Sequence, residues 1–271
     1  MNPKSHATDR GNIRYWVGRV SDKSAPWLVF LPGLTADHTL FDAQVRHFSG
    51  WANCLVWDAP AHGESRPFPL DFTMDDYAWW LHDILETEGI AHPILVGQSL
   101  GGYVSQAFMD LFPSTAAGFI AVDSASLKKR YMKSWEIWII RHMRLAYLSI
   151  PWRLLVKWVC ENVAETQAGQ SNMRTIMLAY GKRDYCNLAA YGYRMTGDAI
   201  NADREYAIDC PTLLLCGEHD KTGFIMRYNK VWAETEGLPL AWVPNARHNS
   251  PIDNHSFINE RIERFVFGEA N

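Results

Sequence analysis

Short apolar runs alternate with longer amphipathic ones along most of this chain. Residues 27–31, 54–57, 94–96, 118–122, 212–216 and 240–243 carry no charged side chain and read as strands, 27–31 and 94–96 as buried ones. Residues 12–20 read as an edge strand and 21–26 as the turn behind it. Between the strands, residues 41–48, 74–88, 103–112, 224–236 and 256–267 have helical spacing. Thr73 and Asp76 have the spacing of a capping box for the second of these, and Gly89 is placed to end it. Strand and helix in alternation predict an α/β protein with a doubly wound, mostly parallel sheet. The alternation breaks between Lys128 and Glu205, where four helical patterns follow one another without a strand. There Trp135, Trp138, Ile139 and His142 share one helical face, Trp152, Leu155, Val156 and Val159 share another, and Pro151 fits a first turn. The expected organisation is a core made of residues 1–127 and 206–271, with residues 128–205 inserted as a helical cap.

One junction between a strand and a helix carries chemistry. Gly97-Gln98-Ser99-Leu100-Gly101-Gly102 joins the apolar run 94–96 to the helix 103–112, which stops at Pro113. A serine at so sharp a turn sits in a strained conformation, and side chains two residues before or after it would collide, so Gly97 and Gly101 remove the obstacle. The spacing is that of a nucleophile elbow, with Ser99 lifted above the end of the sheet and a helix N-terminus behind it to favour developing negative charge.

Composition narrows the function. With 271 residues, 48% hydrophobic and 21% charged, the chain can bury a large core. A net charge of −4 argues against nucleic acid as a partner. Cys54, Cys160, Cys186, Cys210 and Cys216 are odd in number and scattered, which suits a reducing compartment. The first residues are polar, without the apolar centre of a signal peptide, and no run is long enough to span a bilayer, so a cytoplasmic protein is expected. There is no HExxH, no cluster of Cys and His, and no P-loop lysine after Gly97–Gly102, so neither metal nor cofactor is expected.

With these motifs in order, the chain resembles the α/β-hydrolase superfamily over nearly its full length. Leu31-Pro32-Gly33-Leu34 looks like that family's oxyanion loop and Asp58 to Ser65 its proline- and glycine-rich loop. Gly217-Glu218-His219-Asp220 looks like the acid loop, and Asn245-Ala246-Arg247-His248 the histidine loop. The order serine, acid, histidine is the family's own. The resemblance implies the α/β-hydrolase fold with a catalytic triad in which Ser99 attacks, His248 moves the proton, and a carboxylate at the end of a core strand holds the imidazole. Asp220 has the family's usual place for it. Glu218 is its near rival, and Asp123, after the preceding strand, occupies a place that some members use. His62 and His219 read as a loop-packing residue and a neighbour of the acid. The backbone N–H groups of Leu34 and Leu100 are the expected oxyanion hole. Pro32, Ala61 and Arg247 stand where the family commonly has histidine, glycine and glycine.

The implied activity is hydrolysis of carboxylic esters of small or medium apolar substrates through an acyl-enzyme. A lactonase or a carbon–carbon bond hydrolase or lyase would use the same triad, and a slow-turnover ligand receptor would keep the fold. Residues 26–31 and 216–218 also look like the menaquinone-pathway lyase of this superfamily. That lyase has an arginine soon after its serine, whereas Gly102-Tyr103-Val104 follows here. Gln98, Trp135 and Trp138 are candidates for substrate contact. The block 128–205 holds 13 lysines and arginines against 7 acidic residues, a balance of +6, with four tryptophans, six tyrosines and five methionines. Its aromatics either pack the cap on the core, or wall an apolar acyl pocket, or form with the basic residues a face that touches lipid surfaces.

Overall fold

The computed structural model describes residues 1–142 and 144–268. Eight strands form one sheet: β1 (Asn2–Ala7), β2 (Asn12–Gly18), β3 (Trp27–Leu31), β4 (Asn53–Trp57), β5 (Ile94–Gln98), β6 (Gly118–Val122), β7 (Thr212–Gly217) and β8 (Leu240–Val243). Their spatial order is β1-β2-β4-β3-β5-β6-β7-β8; β2 pairs antiparallel with β1 and β4, and every other pair is parallel. Alternate residues of the buried strands feed two cores. Val29, Leu31, Leu95, Phe119 and Leu214 belong to one, and Leu28, Phe30, Val96, Ile120 and Leu215 to the other. The first is covered by α2 (Met74–Glu88), α3 (Leu100–Leu111) and α8 (Ile225–Glu236). The second is covered by α1 (Asp42–Phe48) and α10 (His255–Val266), which α9 (Ser250–Asp253) precedes.

The outermost strand differs from the sequence expectation. Residues 12–18 do form a strand, but β1 lies outside it and is the true edge. Asn-Pro-Lys-Ser-His-Ala has no apolar alternation and five of its six residues are exposed, so only backbone pairing holds it there, where Pro3 is tolerated. The capping box at Thr73 and Asp76 is formed, and Gly89 ends α2 in the left-handed region.

Between β6 and β7 the chain is helical among the described residues: α4 (Ser134–Arg141), α5 (Arg144–Ser149), α6 (Trp152–Val163) and α7 (Gln167–Asn201). The fourth is two helices joined at Gly181, whose φ of 72° and ψ of 167° break the helical path. The other three pack on α7. Leu155, Val156 and Val159 of α6 face inward as their spacing predicts. On α4 the buried residues are Glu136 and Ile137, and the tryptophan-bearing face is outermost. Glu136 can be buried because Arg227 donates to it at 2.6 Å, Tyr228 at 2.8 Å and the Lys133 N–H at 2.8 Å. No described helix is long and apolar enough to cross a membrane.

Candidate active site

The parallel strands all end on one edge of the sheet, the edge where open α/β sheets bind ligands. The loops after β3, β5, β6, β7 and β8 meet there. Ser99 joins β5 to α3 with φ 50° and ψ −113°, and its N–H donates to the Val122 carbonyl at 2.9 Å. Glycine is required on either side. A Cβ on Gly97 would lie 2.4 Å from the Gly101 carbonyl oxygen, and one on Gly101 would lie 1.8 Å from that of Leu31.

The structure brings three distant residues into one hydrogen-bonded row. His248 Nε2 lies 2.9 Å from Ser99 Oγ, and His248 Nδ1 lies 2.8 Å from Asp220 Oδ2. With the proton on Nδ1 donated to the carboxylate, Nε2 is free to accept from the serine hydroxyl. Asp220 is fixed by the Thr222 N–H, which donates to Oδ1 at 2.7 Å. Burial favours neutral His248, but the charge and hydrogen bond of Asp220, helped by the charge of Asp123, outweigh it and raise the imidazole pKa. Such a row can take a proton from Ser99 and return it.

Asp123 lies at the same end of the sheet but bonds elsewhere. Its carboxylate accepts from the Gly217 N–H at 2.8 Å, from Ser250 Oγ at 2.5 Å and from the Ser250 N–H at 3.2 Å. Burial, then the charge of Asp220, pushes its pKa up to about 8. Glu218 accepts from the Asn245 N–H and so braces a loop. Asp123, Cys216 and Asp220 place their ligating atoms within 4.8 Å of one another. Both carboxylates are already engaged, and burial holds the Cys216 thiol far above its ordinary pKa, so this is a poor donor set for a cation.

The loop after β3 runs directly against the serine. A Cβ on Gly33 would meet Ser99 Cβ at 3.0 Å, which puts Leu34 beside the nucleophile, and Leu100 is the first residue of α3, where a helix has no acceptor for its N–H. Thr35 is left-handed, with φ of 66°. Asp58, fully buried, ties this loop to its neighbour by accepting from the His38 N–H at 2.7 Å, from His38 Nδ1 at 2.9 Å and from the Glu64 N–H at 2.6 Å. Ala61 keeps a left-handed backbone, φ 67°, where the superfamily commonly has glycine. His62 packs its loop: Nδ1 meets the Pro60 carbonyl at 2.9 Å, and burial lowers its pKa to about 4. His219 is 3.5 Å from Glu218 and 3.6 Å from Glu165, beside the acid loop.

The remaining candidates are placed as follows. Gln98 is buried, its Nε2 donates to the His248 carbonyl at 2.7 Å, and its Oε1 occupies the space a Cβ on Gly33 would need. Trp135 and Trp138 lie exposed on α4, Trp135 edge-on to Phe224 and Trp138 stacked on His142.

Several supporting residues carry no local sequence signal. Ser124 Oγ donates to the Ser99 carbonyl at 2.8 Å, and Arg247 ties the histidine loop to the helical insertion through Glu165, at 2.6 Å, and the Glu161 carbonyl. Gly192 of α7 lets that helix press on Leu34, since a Cβ there would fall 2.2 Å from Leu34 Cδ1. Asn172 donates to Thr39 at 2.7 Å, and the Tyr180 hydroxyl accepts from the Gly63 N–H at 3.2 Å. Tyr147 and Tyr193 stack with centroids 6.2 Å apart, and burial, with a smaller contribution from the charge of Asp220, raises the Tyr193 phenol pKa. A cleft of about 430 Å³ lies elsewhere, between α2, α3 and the end of α7; Phe72, Gln106, Tyr191 and Tyr206 line it, and Ser99, Asp220 and His248 do not.

Comparison with known proteins agrees with this architecture. Residues 28–261 match the model of the family described as the alpha/beta hydrolase family. The chain is 22% identical to an (E)-2-((N-methylformamido)methylene)succinate hydrolase of Acinetobacter baylyi, over 88% of this chain and 89% of that one. It is 26% identical to a 2-succinyl-6-hydroxy-2,4-cyclohexadiene-1-carboxylate synthase of Klebsiella pneumoniae, over 84% and 89%. Among solved structures, a thermophilic esterase from Thermogutta terrifontis, malate bound, superposes with a TM-score of 0.77 at 19% identity, each chain covered in full.

Proposed function

This chain belongs to the alpha/beta hydrolase family, and on that premise we propose that it hydrolyses carboxylic esters of small or medium apolar acids, with Ser99 as nucleophile, His248 as general base and acid, and Asp220 as the orienting carboxylate. The observation that carries this reading is the row from Asp220 through His248 to Ser99, at 2.8 and 2.9 Å. Ser99 Oγ attacks the ester carbonyl carbon while its proton passes to His248 Nε2. Asp220 stabilises the imidazolium, and the N–H groups of Leu34 and Leu100 receive the oxyanion. As the tetrahedral intermediate collapses, His248 gives the proton to the departing alkoxide, leaving an acyl group on Ser99. Water then enters, gives its proton to His248 and attacks the acyl carbon; collapse returns that proton to Ser99 and releases the acid.

Residues 128–205 serve in this reading as a cap over the site. Of the two relatives above, the Acinetobacter hydrolase is named for a succinate-bearing substrate and the Klebsiella synthase for a carboxylate-bearing product. Arg247, the cation beside His248 in sequence, is held by Glu165 at 2.6 Å, so its charge is not offered to a second substrate carboxylate, which favours neutral acyl groups. Lactones are cyclic esters and enter the same steps. We place the protein in the cytoplasm because its five cysteines are unpaired and four of them are buried.

The test is turnover of chromogenic esters of increasing acyl length, of lactones and of carboxylate-bearing analogues. Esters turned over by the wild type should lose three or more orders of magnitude in kcat, on the order of the usual loss of a triad member, with Ser99→Ala. A slow-turnover receptor would bind the same compounds with no difference between the two proteins in the rate at which they are consumed.

A further inference from the structure

The helical insertion shows solvent a set of large apolar side chains that neither core uses. Trp135 and Trp138 on α4 are 50% and 61% exposed, and Phe224, against which Trp135 packs at 5.8 Å, is 43% exposed. On α6, Leu154 and Trp158 are one turn apart and 59% and 52% exposed, while Leu155, Val156, Val159 and Cys160 fill its inner face. Arg153 and Lys157 share the outer face with them. Single exposed apolar side chains are ordinary, but three tryptophans on one insertion, interleaved with basic residues, are not.

The geometry points to an anionic lipid surface as the occupant of the α6 outer face, with the exposed α4 tryptophans as a second ridge. An indole ring is apolar with one N–H donor, which suits the level of lipid headgroups. The α6 outer face has the composition of a helix lying in an interface, with apolar residues to enter the acyl boundary and cations to meet anionic headgroups. On α6 Lys157 lies 3.9 Å from Glu161, an exposed pair, while among the described residues no ion pair is made by Arg153 or by Lys133. Residues 133–163, which carry both apolar ridges, hold Lys133, Arg141, Arg144, Arg153 and Lys157 against Glu136 and Glu161, a balance of +3, so a second copy would set like charge against like, whereas an anionic surface complements it. Both ridges adjoin the loops of the candidate site: Phe224 follows Asp220 in its loop, and Glu161 and Glu165 hold Arg247 next to His248. Docking therefore brings the site to the lipid surface. That last step rests on the ester-hydrolase reading, while the docking does not.

The experiment uses the full chain and vesicles of phosphatidylcholine, alone or mixed with phosphatidylglycerol, with co-sedimentation and tryptophan emission as readouts. Binding to the mixed vesicles should be about tenfold or more above binding to the neutral ones, and should weaken several-fold between about 0.05 and about 0.5 M salt. The double variant Leu154→Ala/Trp158→Ala should lose about tenfold or more of that binding while keeping its far-ultraviolet circular dichroism and its rate on a water-soluble ester. Ser99→Ala should bind vesicles as the wild type does, so a failure of the catalytic reading leaves this result intact. Equal binding to both vesicle types, no binding, or unchanged binding by the double variant overturns the proposal. A concentration-dependent dimer that the double variant dissolves would also overturn it, in favour of a second copy.

Discussion

With Leu34 as the proposed oxyanion donor, its contact with Gly192 would make the insertion a determinant of the oxyanion hole, and one methyl group tests it. In Gly192→Ala the new Cβ would lie 2.2 Å from Leu34 Cδ1, 2.9 Å from Cδ2 and 3.1 Å from Cγ. Carbon atoms at rest sit about 3.5 Å apart or more, so Cδ1 must retreat by roughly 1.3 Å. Both methyls and Cγ are crowded, so a change of rotamer alone gives little relief, and part of the displacement passes to the Leu34 backbone. A misplacement of about 1 Å in a reacting group costs up to about a hundredfold, and losing one oxyanion donor about 10² to 10³. Partial escape by the side chain sets the expectation at about tenfold in kcat, with KM changed less than about twofold, because the donor acts on the transition state. Steady-state kinetics on a chromogenic ester gives both constants, and inhibition by a boronic acid, which needs the oxyanion site, should weaken in proportion to kcat. Leu34→Ala removes the crowded atoms and keeps the N–H, so the double variant Gly192→Ala/Leu34→Ala should return to within about threefold of Leu34→Ala alone. If Gly192→Ala lowers thermal stability and leaves kcat untouched, or if the double variant shows no rescue, the insertion does not position the donor.

Three further outcomes follow from the site. Asp220→Asn should fold normally and lose on the order of 10⁴ in kcat, while Asp123→Asn, whose carboxylate bonds Gly217 and Ser250 instead of His248, should lose far less; the opposite ranking on one ester at one pH would transfer the role. Catalysis needs neutral His248, and its pKa is raised above 6.5, so kcat/KM should fall as pH falls, with a midpoint above 6.5 that moves down in Asp220→Asn. Lengthening the acyl chain should raise kcat/KM about fourfold per methylene, from roughly 0.8 kcal/mol each, until a plateau that shifts when residues 128–205 are exchanged for the corresponding segment of a related hydrolase; a plateau that stays put would assign the pocket walls to the core.

What the sequence discloses is what local spacing dictates. Gly97 and Ser99 are legible because the collision Gly97 avoids, with Gly101, arises within five residues of chain, whereas the collision Gly101 avoids is with the Leu31 carbonyl of β3 and is set by the fold. Asp220 and His248 are legible because each lies in a loop after an apolar run, at the place used by the family the chain resembles, although β8, the run before His248, is half exposed in the structure. The edge strand Asn2–Ala7 is not legible, since its place depends on the backbone of β2 and its side chains face water. Nor is the orientation of α4: apolar spacing favours Trp135 and Trp138 as the inner face, but Arg227 and Tyr228, some ninety residues away in sequence, satisfy Glu136 and turn the helix over. Gln98 looks available to substrate in the elbow and is held by the His248 carbonyl. Ser124, Arg247 and Gly192 make their contacts across 25, 82 and 158 residues, where periodicity carries no signal.

The central claim is that Ser99, activated by His248, becomes covalently acylated. Intact-protein mass spectrometry after treatment with a fluorophosphonate at neutral pH tests this most directly, with the modified residue located by peptide mapping. The account predicts one adduct per chain, on Ser99, absent in Ser99→Ala and formed on the order of 10³-fold more slowly in His248→Ala. Rapid labelling of Ser99→Ala at another residue, or a wild type left unmodified while it hydrolyses esters, would contradict it.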